Sequence, residues 1–210
     1  MKIAGEATLH GPVDQVYQAL NDPAVLVRTI PGCERLEQTG PDAYTMAVSA
    51  GVAAVKGTYV GEVVLTDQRP PHGFVLKASG SGAPGTVDAV ARIRLAPGDD
   101  GMTTVAYDAD AVVGGMVGGV GQRMLAGVAR RTAGEFFAAV DGVLTGAAEA
   151  VGTVEAGTGP TVFTRPAGAR RTGLPGRDFA VGVAFGAVAT LLGAIVGGLI
   201  ARRPDRSGRG

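Results

Sequence analysis

Few residues of this chain are of a type that does chemistry by itself, and their settings limit what they could do. His10 and His72 are the only histidines of the 210 residues. Imidazole is the natural base near neutral pH. Both histidines, however, sit in turn sequences, His10-Gly11-Pro12 and Pro70-Pro71-His72-Gly73, where solvation is the expectation. A zinc site needs three or four ligands at matched spacing, which two histidines and one cysteine do not supply. Cys33 follows Pro31-Gly32 at a helix-to-strand turn. Nothing beside it marks a thiolate nucleophile, so it reads as a small core residue. A lone cysteine excludes an intrachain disulfide and a thiolate cluster, and it suits a reducing compartment. Asp108 and Asp110 lie two apart on one strand face. They suggest paired carboxylates, but that face is polar and a solvated pair is expected. The run Gly114-Gly115-Met116-Val117-Gly118-Gly119-Val120-Gly121 follows a strand. It lacks the lysine-serine ending and the spacing of a phosphate cradle.

The glycines of that run pose a different question. Gly114, Gly118 and Gly121 recur at i, i+4, i+7, and Gly115, Gly119, Gly127 and Gly134 join them. Each costs a helix roughly 0.5–1 kcal/mol relative to alanine. Three explanations stay open: room between helix and sheet, a mobile gate, or close helix–sheet packing in a glycine-rich composition. The first predicts an apolar cavity suited to a lipophilic ligand. Its expected lining is Tyr44, Met46, Val48, Tyr59, Val63, Phe74, Leu76, Ile93 and Tyr107 from strands, and Met116, Val117, Val120, Gly121, Met124 and Val128 from the following helix. Methionine would make an adaptable wall.

The elements that must position these residues follow from periodicity. Residues 2–9 read as a strand. VDQVYQALND carries Val13, Val16, Tyr17 and Leu20 at helical spacing, and Asp22-Pro23 begins a second short helix. From Cys33 to Val113 the period changes to two, with strands at roughly 33–39, 43–51, 55–68, 73–80, 86–96 and 102–113 and turn residues between them. In the third of these strands Val55, Tyr59, Val63 and Leu65 share a face with Gly57 and Gly61, while Lys56, Thr58, Glu62 and Thr66 share the other. In the next-to-last, Ala89, Ala91, Ile93 and Leu95 oppose Asp88, Arg92 and Arg94. Such alternation means one buried and one wet face, and a one-faced sheet needs a cover. Residues 114–145 supply it as one long helix with an apolar stripe. The fold class is α+β: a curved antiparallel sheet around a long helix, occupying residues 1–145.

Residues 146–178 are rich in Gly, Ala, Thr, Pro and Arg and read as a flexible linker. Residues 179–201, Phe179 to Ala201, hold 23 residues without a charge. As a helix they would span roughly 34 Å, enough to cross a hydrocarbon core of about 30 Å. Residues 202–210 form a short basic tail. Residues 1–145 carry 11 basic and 15 acidic side chains, net −4; residues 146–210 carry 8 and 4, net +4. The main domain has no basic stripe for nucleic acid. The basic C-terminal part suits anionic headgroups. With no signal-peptide h-region at the N-terminus, the expectation is a C-terminal tail anchor in the cytoplasmic (inner) membrane, the main domain facing the cytoplasm.

Several blocks resemble the CoxG family of carbon monoxide dehydrogenase subunits, within the START-like (SRPBCC) superfamily. They are Ile30-Pro31-Gly32-Cys33-Glu34, Val55-Lys56-Gly57-Thr58-Tyr59-Val60-Gly61, Leu65-Thr66-Asp67 before Pro70-Pro71, and Tyr107-Asp108-Ala109-Asp110-Ala111 followed by Val113-Gly114-Gly115 and the 121–125 run. The resemblance covers about residues 1–145. It implies a helix-grip fold that holds an apolar ligand between sheet and long helix. It also implies a partner, the molybdenum-containing carbon monoxide dehydrogenase or a related hydroxylase, with membrane recruitment and quinone handling as the role. The stretch 82–90 departs from the family pattern and would border the cavity mouth. The leading expectation is a non-enzymatic protein that holds a menaquinone-type quinone, binds no metal, and links that dehydrogenase to the membrane quinone pool. A pure recruitment adaptor is one alternative. A START-like cyclase or hydratase, using Tyr44, Tyr59 or Tyr107, is the other.

Overall fold

The computed structural model describes residues 1–147, 154–155 and 162–164. Alternating residues make the sheet: β1 (Lys2–His10), β2 (Cys33–Gly40), β3 (Ala43–Val52), β4 (Val55–Arg69), β5 (Gly73–Gly82), β6 (Gly85–Pro97) and β7 (Met102–Gly114). Two short pieces follow, β8 (Val154–Glu155) and β9 (Val162–Thr164). The strands are antiparallel in the order β1-β7-β6-β5-β4-β3-β2-β9-β8. In β4 the inward Tyr59, Val63 and Leu65 are buried, whereas Val60 and Val64 face out. The two faces are those read from the period.

Between β1 and β2 lie α1 (Val13–Asn21) and α2 (Pro23–Thr29). α1 buries Val13, Val16, Tyr17 and Leu20. Asp22 caps α2, its side chain accepting from the Ala24 N–H at 2.8 Å with Pro23 at the first helical position; both are favourable start signals.

The crossover corrects the expected single helix over 114–145. β7 runs to Gly114, one turn of helix forms α3 (Gly115–Gly118), and the chain breaks before α4 (Gln122–Leu144). Gly115 at φ +75° and Gly121 at φ +101° take backbone conformations closed to a right-handed helix. α4 then presents Leu125, Ala129, Thr132, Ala133, Phe137 and Val140 to the sheet, a continuous face at helical spacing. Its C-terminal end is fastened to β1. The His10 backbone N–H donates to Asp141 Oδ1 at 2.7 Å, and the His10 ring Nδ1 lies 2.9 Å from Oδ2.

The 146–178 stretch also differs from expectation. Instead of being linker throughout, it supplies β8 and β9, and β9 pairs with β2 through Arg35↔Thr164, Leu36↔Phe163 and Glu37↔Val162. The apolar run 179–201 lies outside the described residues; among those that are described, no helix is long and apolar enough to cross a membrane.

Candidate ligand cavity

Under the middle of α4 the core does not close. A cavity of about 160 Å³ lies between the helix, the sheet and α1–α2. Its roof is Ala129, Ala133, Phe136 and Phe137; its side wall is Leu20, Leu26, Ile30 and Pro31; Ile3 and Leu36 border it from β1 and β2. The floor is Tyr44, Met46, Val63, Leu65, Phe74, Leu76, Ala89, Ala91, Ile93, Tyr107 and Ala109. Small side chains meet from two layers, because Ala129 and Ala133 lie one helical turn apart and Ala91 pairs with Ala109 across β6 and β7. Tyr107 and Phe137 stack at 5.6 Å and Phe136 meets Phe137 edge-on at 5.1 Å, so aromatic rings brace the roof.

The lining is apolar except for two phenols. Burial pushes the Tyr44 hydroxyl pKa up, and Asp42 and Asp22 push it the same way. Burial also raises that of Tyr107, with Arg130 pulling against it. Both therefore remain neutral hydrogen-bond donors at physiological pH. A third phenol, Tyr17, donates to Gln68 Oε1 at 3.1 Å, and Gln68 donates to Asp42 Oδ1 at 2.6 Å; this chain ties α1 to the β2–β3 turn.

Of the fifteen lining residues expected from the sequence, Tyr44, Met46, Val63, Phe74, Leu76, Ile93 and Tyr107 border the cavity. Val48 and Tyr59 are buried in the sheet's inner face away from it. The helix set is corrected outright. Met116 and Met124 are 65% and 51% exposed. Val117 packs in a separate cluster with Val52 and Leu125, against which Val120 and Val128 rest, and Gly121 is exposed. The reason is the break at Gly121, which places the start of α4 over the ends of the hairpins instead of the sheet centre. The glycines at close approaches are likewise not spacers, and a Cβ on Gly121, Gly127 or Gly134 would meet nothing within 4 Å. A Cβ on Gly118 would stand 2.7 Å from the Val113 carbonyl oxygen, and one on Gly57 would stand 2.6 Å from Pro84. The 82–90 stretch turns tightly through Ala83-Pro84 and gives the cavity only Ala89. The residues missed were Ile3, Leu36 and Leu65 of the sheet, Leu20, Leu26, Ile30 and Pro31 of the α1–α2 wall, Phe136 and Phe137 of α4, and the alanines of facing layers, whose signal was i, i+4 alanine on α4 opposite alanine on β6 and β7.

The other candidate groups are accounted for. Cys33 is buried. Asp108 sits 3.4 Å from Arg92 and 3.1 Å from Arg94, and Asp110 2.9 Å from Lys2. The hydrogen bond from Lys2 and its charge hold the Asp110 carboxyl below its ordinary range. Among the described residues no cluster of His, Cys, Asp and Glu could hold a metal ion.

Compared with known families, residues 5–145 match the CoxG family of carbon monoxide dehydrogenase subunits. The chain belongs to the CoxG family. A conserved protein from Geobacillus kaustophilus is 38% identical, with a TM-score of 0.67, covering 70% of this chain and 97% of that one. A START superfamily protein from Mycobacterium smegmatis superposes with a TM-score of 0.55 at 12% identity, covering 70% and 99%. The Zhui aromatase/cyclase from Streptomyces sp. R1128 gives 0.54 at 18%, covering 69% and 93%. At such identities the last two show a shared START-like fold. No curated protein matches. In this CoxG domain the cavity lies between the sheet and the long helix that crosses it.

Proposed function

We infer that this CoxG-family protein carries a lipophilic quinone of menaquinone type. In this reading it links a carbon monoxide dehydrogenase or related molybdenum hydroxylase to a membrane quinone pool. The observation that carries the reading is the cavity. All its lining side chains are apolar apart from two neutral phenols. An apolar ring enters such a space by displacing little bound water, because the tyrosines present their rings and no polar atom faces the cavity. Size sets what fits. About 150 Å³ of apolar cavity accepts a benzene molecule, so about 160 Å³ takes one ring system or a few tail carbons, and the rest of an isoprenoid chain must lie outside. Phe136, Phe137 and the aromatic faces of Tyr44 and Tyr107 would pack against the ring. A bound quinone supplies acceptance of two electrons and two protons. The protein's part is to hold the ring apart from water and present it. The family supports the dehydrogenase as the partner, and the uncharged Phe179–Ala201 run supports a C-terminal membrane anchor, with the domain on the cytoplasmic side. The role in this reading is binding, with the chemistry left to the dehydrogenase.

Solvent extraction of the purified full chain followed by mass spectrometry tests this. The expected result is co-purified isoprenoid quinone. Recovery of none, with no binding of added menaquinone, overturns it. A second reading, recruitment of the dehydrogenase without a ligand, is favoured by one observation: 160 Å³ is below the roughly 300 Å³ at which drug-sized ligand pockets begin. Under that reading a variant with a filled cavity still couples the dehydrogenase to the membrane.

A further inference from the structure

The two ends of the sheet differ in chemistry. At one end the β2–β3 and β6–β7 turns carry Asp42, Asp99 and Asp100, and the irregular end of β4 carries Asp67. At the other, the β3–β4 hairpin, the β5–β6 hairpin and the α3 crossover meet. Val117 N–H donates to the Pro84 carbonyl at 3.0 Å, and Val52, Val117 and Leu125 form one cluster. Residues 50–57, 80–87 and 113–124, which form the tip of this end, contain no Asp or Glu, and their only charges are Lys56 and Arg123; the nearest acids on β6 and β7, Asp88 opposite Val112 and Asp110 bonded to Lys2, lie further back along the strands. Met116 and Met124, both exposed, project from it.

We propose that this end of the domain is a contact surface for an anionic lipid bilayer. The proposal rests on the membrane-anchored reading above. Unbranched apolar side chains flanked by cations and free of carboxylates are the composition that inserts shallowly among headgroups, each cation adding about 1 kcal/mol near an anionic surface. The path of the chain agrees. β9 runs antiparallel to β2, from Val162 opposite Glu37 to Thr164 opposite Arg35. β2 runs antiparallel to β3, so β9 heads toward the end where β3 meets β4. Residues 165–178 then separate Thr164 from the apolar run and contribute Arg165, Arg170, Arg171 and Arg177 against the single acid Asp178. Fourteen residues reach at most about 50 Å, so the apolar run begins within that distance of Thr164, on the side toward which β9 points. An anchored chain therefore holds this end, and not the aspartate-bearing one, nearest the bilayer.

The test uses the full chain with Met116→Cys or Met124→Cys carrying an environment-sensitive fluorophore; Cys33 is buried and out of reach. Asp100→Cys is the control. Vesicles of phosphatidylcholine are compared with vesicles containing a minority of phosphatidylglycerol. A blue shift and quenching by lipid-borne quenchers at 116 and 124, absent at 100 and dependent on phosphatidylglycerol, is the expected result. Lys56→Gln with Arg123→Gln should lower the immersed-to-free ratio roughly thirtyfold. If the chain floats with vesicles but all three labels stay aqueous, the surface is wrong while the anchor stands. Failure to float overturns both. A blue shift before lipid is added assigns the patch to another part of the chain or to a second copy, and also overturns the proposal. Quinone recovery from Met116→Cys should match that of the unmodified chain, which keeps this result separate from the cavity's.

Discussion

The two halves of the crossover, residues 114–121 and 125–140, both use small side chains against the sheet, to opposite effect. In the first half glycine brings backbones together. A Cβ on Gly115 would stand 2.6 Å from the Gly85 Cα, and one on Gly114 would stand 2.7 Å from Thr86 Oγ1, so no room is left at these two positions. In the second half Ala129 and Ala133 face alanines of β6 and β7 while Leu125 and Phe137 on the same helix face are buried. The large neighbours keep the layers apart, and the alanines between them fail to fill the gap. Space in a protein core thus comes from small residues held at a distance by large ones, and glycine closes distances as readily as it opens them.

The strongest way to break this contrast is Gly115→Val. The left-handed backbone at φ +75° and the Gly85 contact should together cost about 3 kcal/mol, a Tm loss of roughly 10 °C. A loss of under a few degrees by calorimetry would mean that the close approach is dispensable. Ala133→Leu probes the other half. It should reduce quinone retention about tenfold, equivalent to ~1.4 kcal/mol, while the Tm holds or rises as the gap fills; equal losses of both would show that the roof has no spare room. A smaller effect belongs to the clasp at the far end of α4. Burial pushes the Asp141 carboxyl up, but the His10 backbone and ring hydrogen bonds and the His10 charge outweigh it, and the carboxyl ionises below its ordinary range. A depressed folded value contributes stability that is complete above the unfolded pKa of about 3.9 and is lost as pH falls through the folded one. His10→Ala should remove about 1 kcal/mol at neutral pH and flatten that acid-side decline, read from denaturant titrations at several pH values. Smallest of all, Met116→Ser should change stability by less than about 0.5 kcal/mol, because the side chain leaves no core contact behind; a larger loss would place Met116 in the packing.

Much of the architecture was legible because period-two alternation survives in β4 and β6, and because turn residues such as Gly40-Pro41-Asp42 stand where hairpins need them. The sheet-borne cavity residues Tyr44, Val63 and Tyr107 followed from the same alternation. The helix-borne ones did not. An apolar residue at helical spacing names a helix face only if the helix is unbroken, and the positive-φ turn at Gly121 puts Met116, Val117 and Val120 out of register with α4, while Met124, beyond the turn, falls on the exposed side of α4. Composition could not reveal this, since a glycine inside a helix and a glycine that stops one are the same letter. β9 was missed for a different reason. Three residues are too few to show a period, and what places them is the open edge of β2, a feature of the folded sheet alone.

The pairing of β1 with β7 also governs when the domain can exist at all. Lys2 lies opposite Asp110, 108 positions later in the chain. A ribosome adding roughly 5–20 residues per second leaves β1 without its partner strand for roughly 5–20 s. α1 and α2 are made in that interval but cannot rest on a finished sheet. The apolar run at 179–201 is synthesised after β7 and α4. The sheet and its covering helix are therefore able to assemble before that apolar run leaves the ribosome, so order of synthesis keeps its side chains from competing for the forming core.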